Sequence, residues 1–446
     1  MDYSNLTLEQ KNAVTAIYES NKLLVAPMGC GKTVIAATAI TELLDNNELT
    51  RVLIVTTKQI AVSVWIEEFA KWKHTKHIKI NSAVGSSAER EKIINDETNK
   101  VIVLTFGTIK WLIENNLYQK FNGLLIDETT KIKKTSTAAV KYLRRKKVIE
   151  NFSWRCGLSA TPTAERIYDL FSQLLLIDGG KTFGTNFSVF SFKYFNVLRK
   201  KNYTELITRA DTVDNIITQS KNCLHVIRDN RKDTLPKIHY INHYIDMPKG
   251  LLSKYKQFKK EKCLDEIVAL TAATHRQKLQ QIACGFIYND DNEIIPYSNF
   301  RELALLDIIK NLVDENILLV YQYTACRERL LKIVDDIVFL DPKKNINNII
   351  KNWNNREIKT LLTHTASAAH GIRLQEGGRH IVWYSPQYSN DKYAQLNARL
   401  WRTGQKQDVF VHNIIVNDTI DTHIVNRVKQ KRAEEEKFMS ELLALV

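Results

Sequence analysis

The run Ala26-Pro27-Met28-Gly29-Cys30-Gly31-Lys32-Thr33 stands between an apolar segment, Lys22-Leu23-Leu24-Val25, that reads as a strand and a stretch at 33–44 that reads as a helix. Bare backbone at Gly29 and Gly31 lets successive N–H groups close around a phosphate at the positive end of the following helix. At this spacing Lys32 reaches the β- and γ-phosphates of a nucleotide, and the Thr33 hydroxyl is placed to ligate Mg²⁺. Cys30 reads as a packing residue within that loop.

A phosphate loop needs a metal-holding carboxylate from a neighbouring strand. Leu124-Leu125-Ile126-Asp127-Glu128 supplies one, because three apolar residues bury the strand and two acids emerge at its carboxyl end. Asp127 then holds Mg²⁺ through water, and Glu128 orients and polarises the attacking water. Without the loop, two such acids would read as a solvated turn. Ser159-Ala160-Thr161-Pro162 follows a strand ending at Leu158, and its hydroxyls are placed to sense the γ-phosphate. Far along the chain, Arg399 and Arg402 lie three apart within Gln395-Leu396-Asn397-Ala398-Arg399-Leu400-Trp401-Arg402-Thr403-Gly404-Gln405. On a helix they share one face. Two guanidiniums presented together neutralise charge on a transferring phosphoryl group, although spacing alone favours a plain basic helix face.

These residues need rigid supports. Short β-branched runs at 22–25, 51–55, 101–104, 124–126 and up to 158 alternate with helical stretches, which predicts a parallel sheet covered on both faces. From about 170 to 303 the pattern stops, and the chain reads as mostly helical. Alternation resumes at 317–320, 337–340, 360–363, 380–384 and 409–411, and 421–446 reads as one helix. The expected fold class is α/β, with lobe 1 at 1–175, a helical insertion and linker at 176–300, and lobe 2 with a C-terminal helix at 301–446.

Composition narrows the classes. The 446 residues carry 64 Lys plus Arg against 49 Asp plus Glu, a net charge of +15, and such a surplus attracts polyanions, nucleic acid above all. No apolar run approaches the ~18 residues of a membrane helix, so no membrane partner is expected. Six scattered cysteines without a Cys-x-x-Cys pair argue against a zinc site or disulfide framework and fit a reducing cytoplasm. The first residues carry no secretion signal.

Taken together, the motifs resemble helicase superfamily two, and within it the Swi/Snf-like DNA translocases. Gln10 is similar to the family's adenine-reading glutamine, 26–33 to motif I, Asp127-Glu128 to motif II, 159–162 to motif III, and 395–405 to motif VI with Arg399 and Arg402 at the arginine-finger positions. The stretch 52–72 with Trp65, Glu68 and Trp72 resembles motif Ia. Segment 165–176 resembles the stretch after motif III, 228–236 ending in Leu235-Pro236 the family linker, and 367–375 motif V.

The resemblance implies two RecA-like lobes with ATP and Mg²⁺ between them, bound through Gln10, Met28, Gly29, Cys30, Gly31, Lys32 and Thr33. Thr33 and Asp127 would hold the metal; Lys32, Asp127, Glu128, Arg399 and Arg402 would carry catalysis. Ser159, Thr161, Gly371 and Gln395 would couple hydrolysis to movement. DNA, duplex or branched, is the expected partner, met through its phosphates by Lys58, Thr105, Lys133 and Arg373. The basic clusters at 144–147 and 199–201 are candidate extensions of that track.

Two positions depart from the pattern. Motif II reads Asp127-Glu128-Thr129-Thr130 where relatives usually place a histidine fourth, and Arg373 stands where they typically carry Asn. Little chain remains beyond lobes and insertion, so no histone-binding, zinc or nuclease module is expected. This compact form is similar to phage-encoded members, including branch-migration helicases, acting in the host cytoplasm, and a monomer is expected. An RNA helicase and a nucleotide-dependent scaffold without turnover remain as alternatives.

Overall fold

The computed structural model describes residues 1–58, 60–163, 165–200, 203–228, 235–264, 267–341, 346–365 and 372–444. It divides into two units, one of Met1–Asn230 with Ala433–Val446 and one of Arg231–Arg432.

In the first unit, strands β1 (Lys22–Val25), β2 (Val52–Thr56), β3 (Ile80–Ser82), β4 (Val101–Thr105), β5 (Gly123–Asp127) and β6 (Trp154–Ser159) are followed by an antiparallel hairpin, β7 (Phe195–Lys200) and β8 (Tyr203–Thr208), and by β9 (Leu224–Val226). The sheet order is β3-β4-β2-β5-β6-β1-β9, parallel throughout. Its strands are apolar on both sides because helices cover both faces: Leu24, Ile54, Val103 and Leu125 face one buried cluster, and Leu53, Val55, Leu104 and Ile126 the other. Phe438 and Leu442, from the last part of the helix Ile420–Ala444, are buried with Leu23, Val25 and Phe171 in a third cluster.

The second unit holds β10 (Ile238–Ile245), the small pairs β11 (Cys263–Leu264) with β12 (Ile267–Val268) and β13 (Phe286–Tyr288) with β14 (Ile294–Pro296), then β15 (Ile317–Tyr321), β16 (Ile337–Phe339), β17 (Thr360–His364), β18 (His380–Trp383) and β19 (Val409–Val416). Its parallel sheet runs β10-β19-β18-β15-β17-β16. The protein is thus α/β with two RecA-like lobes.

The stretch 176–300 differs from the expected separate helical insertion. It does carry the helices Phe187–Tyr194, Thr212–Ser220, Lys249–Glu261 and Ala272–Ala283, but it also carries β7 to β14 and is shared between the units. β9 extends the first sheet beside β1, and β10 extends the second beside β19. Three residues are too few to show a period, and β10 is a half-exposed edge strand, Ile-His-Tyr-Ile-Asn-His-Tyr-Ile, lacking the continuous apolar run of its neighbours. The boundaries expected at 175 and 300 therefore fall inside the units.

The second unit is pinned by a buried charge. Arg301 is fully enclosed; its guanidinium donates to the carbonyls of Ala283 (3.1 Å) and Tyr384 (2.6 Å) and pairs with Asp421. Removing one partner leaves the other charge buried and uncompensated. Arg301→Met is accordingly expected to destabilise this unit by about 3–5 kcal/mol, read as a lowered denaturation midpoint, while Arg301→Met with Asp421→Leu should recover much of the loss. Among the described residues no helix is long and apolar enough to cross a membrane.

Candidate active site

The carboxyl ends of β1, β2, β4, β5 and β6 form one edge of the first sheet, where open parallel sheets bind ligands. The loop after β1 leads directly into the helix Lys32–Asp45. Gly29 (φ 84°) and Gly31 (φ 82°) adopt left-handed backbone that L side chains disfavour. Gly31 has a second reason to be glycine, since a Cβ there would meet the Gln10 amide nitrogen at 2.6 Å. That amide donates to the carbonyl of Cys30 at 3.1 Å, while Gln10 also closes a capping box with Thr7 at the start of its own helix. Gln10 is thereby fixed on the loop that carries Met28 and Cys30. Lys32 folds its ammonium onto the carbonyls of Ala26 (2.8 Å) and Pro27 (3.3 Å), and Thr33 follows in the first turn of the helix.

Asp127 ends β5. The indole N–H of Trp65 and the hydroxyl of Thr56 each donate to its Oδ2 at 3.1 Å, which fixes the carboxylate plane. Burial pushes the Asp127 carboxyl up; the two hydrogen bonds and the nearby positive charge of Lys32 pull it down. Lys32 and Asp127 come from strands with β6 between them, so the fold brings together what the sequence separates by almost a hundred residues. Glu128 follows in left-handed backbone (φ 61°, ψ 57°) at the start of the 3₁₀ turn Thr129–Ile132, a conformation that costs a non-glycine residue of order 1 kcal/mol and concentrates at functional sites.

Asp127 and Thr33 are hard oxygen donors of the type Mg²⁺ takes. That ion keeps most of its waters and needs few protein ligands beside the substrate's phosphates, so the residues present fit it. Ser159 closes β6 opposite Val25, its carbonyl accepts from Ala26, and its hydroxyl accepts from the Thr161 N–H at 3.2 Å. Gln10, the loop, Asp127, Glu128, Ser159 and Thr161 therefore all meet at one sheet edge.

In the second unit the helix Asn390–Asn397 ends before either arginine, so Arg399 and Arg402 do not share a helix face. They lie in the irregular turns that follow, and both still converge, each donating to the carbonyl of Ile372 at 3.4 and 3.5 Å. Gln405 ties these turns to the motif V-like segment through the carbonyls of Gln375 (2.9 Å) and Gly378 (3.1 Å). Gln395 is buried and donates to Asp391 at 2.9 Å. Gly371 lies outside the described residues.

Of the expected DNA contacts, Lys58 and Arg373 are exposed, and Thr105, half-buried, lies with its hydroxyl 3.5 Å from that of Thr108. Lys133 is half-buried at the rim of a pocket of about 390 Å³ that also includes Lys134, Arg166 and Asp169. Sequence reasoning missed Thr56 and Trp65 as partners of Asp127, and missed Gln173, which bonds Thr129. Trp65 was visible only as a landmark. A threonine ending a strand and a glutamine inside an apolar helix carry no pattern of their own.

Residues 4–164 match the family model described as "Type III restriction enzyme, res subunit". The chain is 28% identical over 444 residues to a protein, p41, of Acyrthosiphon pisum secondary endosymbiont phage 1, covering 93% of each. It is 27% identical over 469 residues to an uncharacterized ATP-dependent helicase of Mycoplasma genitalium, covering 98% of this chain and 42% of that one. It is 23% identical over 445 residues to the DNA repair protein rhp54 of Schizosaccharomyces pombe, covering 85% and 50%. The chain thus spans half or less of the length of these last two relatives.

Proposed function

We propose that this chain, a Swi/Snf-like member of helicase superfamily two, is an ATP-driven motor that moves along duplex or branched DNA. The observation that carries the reading is the meeting of the Gly29–Thr33 loop and Asp127 at one sheet edge, on strands with only β6 between them. The names of the Mycoplasma helicase and the yeast DNA repair protein support nucleotide-driven work on DNA, as does the net charge of +15. The phage relative fits a phage-encoded motor, for which the reading extends to phage recombination, repair or replication in the host cytoplasm.

In this mechanism Gln10 reads the adenine edge, and the N–H groups from Gly29 to Thr33 cradle the phosphates. Lys32 leaves the loop carbonyls for the γ-phosphate. Asp127, its Oδ2 held by Trp65 and Thr56, and Thr33 would hold Mg²⁺, which when bound neutralises charge on the β- and γ-phosphates. Glu128 orients the attacking water. Arg399 and Arg402, converging on one carbonyl, would neutralise charge on the transferring phosphoryl group. Lys58, Thr105, Lys133 and Arg373 contact phosphates rather than bases, as stepping along any sequence requires.

Side-by-side ATPase and unwinding measurements on single-stranded, duplex, forked and four-way-junction DNA, with RNA duplex as comparator, test the reading. Duplex or branched DNA should stimulate hydrolysis most. Stronger stimulation by RNA, or hydrolysis indifferent to every nucleic acid, would overturn it.

A further inference from the structure

Glu128 is followed by Thr129-Thr130, and the first of these threonines has a buried partner. Thr129 is fully buried and donates its hydroxyl to the Gln173 amide oxygen at 2.6 Å. The Gln173 nitrogen donates in turn to the carbonyls of Pro162 (2.8 Å) and Asp169 (3.0 Å). One fully buried amide thus spends its oxygen and both N–H groups joining the segment after Glu128, the segment after Ser159 and the start of the helix Leu170–Asp178. A buried glutamine within Leu-Phe-Ser-Gln-Leu-Leu-Leu-Ile costs stability unless its hydrogen bonds are met, and here each is.

The neighbours leave little slack. A Cβ on Gly157 would lie 2.9 Å from the Thr129 methyl, so Thr129 is pressed directly against the strand behind it. Ser172, next to Gln173, donates to the carbonyl of Ile132 at 2.5 Å. Asp169 and Ser172 also line the pocket formed with Lys133, Lys134, Thr135, Ser136, Glu165 and Arg166. Three cations against the two carboxylates of Glu165 and Asp169, with the hydroxyls of Thr135 and Ser136, leave the lining net positive and suit a phosphate of a nucleic-acid backbone.

We propose that Gln173 is a positioning residue that joins this pocket to the turn carrying Glu128, so that a DNA backbone phosphate seated at Lys133, Lys134 and Arg166 sets the orientation of Glu128. The proposal rests on the motor reading and supplies its missing link, from track to chemistry within one unit. Glu128 is bonded to Thr129 and held in left-handed backbone, so a small shift of Thr129 re-aims its carboxylate. Burial pushes the Asp169 carboxyl up to about 6, against the pull of Lys133 and Arg166; the pocket lining therefore feels those cations.

The test compares ATPase rates at saturating duplex DNA and without DNA, in wild type, Thr129→Val, Gln173→Met and the double variant. The ratio of the two rates is expected to fall roughly tenfold in each single variant, within the usual range of coupling, with the KM for ATP little changed. The double variant should lose no more than a single one, because both residues act in one connection. Lys133→Ala and Lys134→Ala should each raise the DNA concentration for half-stimulation and reduce the salt slope by about one. Folded variants that keep the wild-type ratio, losses that add, or lysine variants with unchanged DNA response overturn the proposal. If Gln173→Met does not fold, Thr129→Val, which preserves shape, decides alone. A wild type without DNA stimulation sinks the motor reading itself, a result separable from all of these.

Discussion

Lys32→Ala is expected to abolish nucleotide turnover, lowering kcat by at least about 10²–10³, the scale seen when one preorganised charge-stabilising donor is lost. The ammonium is held over the loop by the carbonyls of Ala26 and Pro27, and its charge pulls the Asp127 carboxyl down. Its loss weakens ATP binding and removes the charge that the γ-phosphate meets. Glu128→Gln isolates the next step. The amide keeps the size of the carboxylate but polarises water poorly, so ATP should bind near normally and remain unhydrolysed, as filter-binding and single-turnover measurements would reveal. Steady hydrolysis in either variant would remove these residues from the site.

Arg399→Ala and Arg402→Ala should each lower turnover by about 10³ while leaving DNA affinity nearly intact, the range ascribed to arginine fingers. Convergence of both guanidiniums on the Ile372 carbonyl argues that they act as a pair, and the double variant should lose little beyond either single one. Lysine in their place restores charge without the planar fork, so Arg402→Lys should recover only a minor part of the rate. A contrary pattern, weak DNA binding with nearly normal kcat at saturating DNA, would make these arginines track residues.

Much of this molecule is written locally. The phosphate loop is legible because glycine backbone freedom, a lysine and a threonine must be contiguous to cradle and charge a phosphate, and the strand and helix that bracket it at Lys22–Val25 and Lys32–Asp45 carry strong local patterns. The buried strands β1, β2, β4, β5, β15 and β18 announce themselves by continuous apolar runs, since a sheet covered on both faces leaves no polar side.

What depends on partners distant in the chain is not written locally. β9 and β10 are strands only because a sheet edge accepts them, so the borders of the two units escape the sequence pattern. The helix expected under Arg399 and Arg402 stops at Asn397, and their convergence comes instead from a carbonyl in another segment. Trp65 and Thr56 hold Asp127, and Gln173 holds Thr129, through hydrogen bonds that span 44 to 71 positions. Residue types in tight spacing were enough to nominate the candidate chemical groups, because reactivity belongs to the side chain itself. Which side chains orient those groups emerges from the folded chain alone, because a hydrogen bond depends on distance in space, and strand order sets that distance.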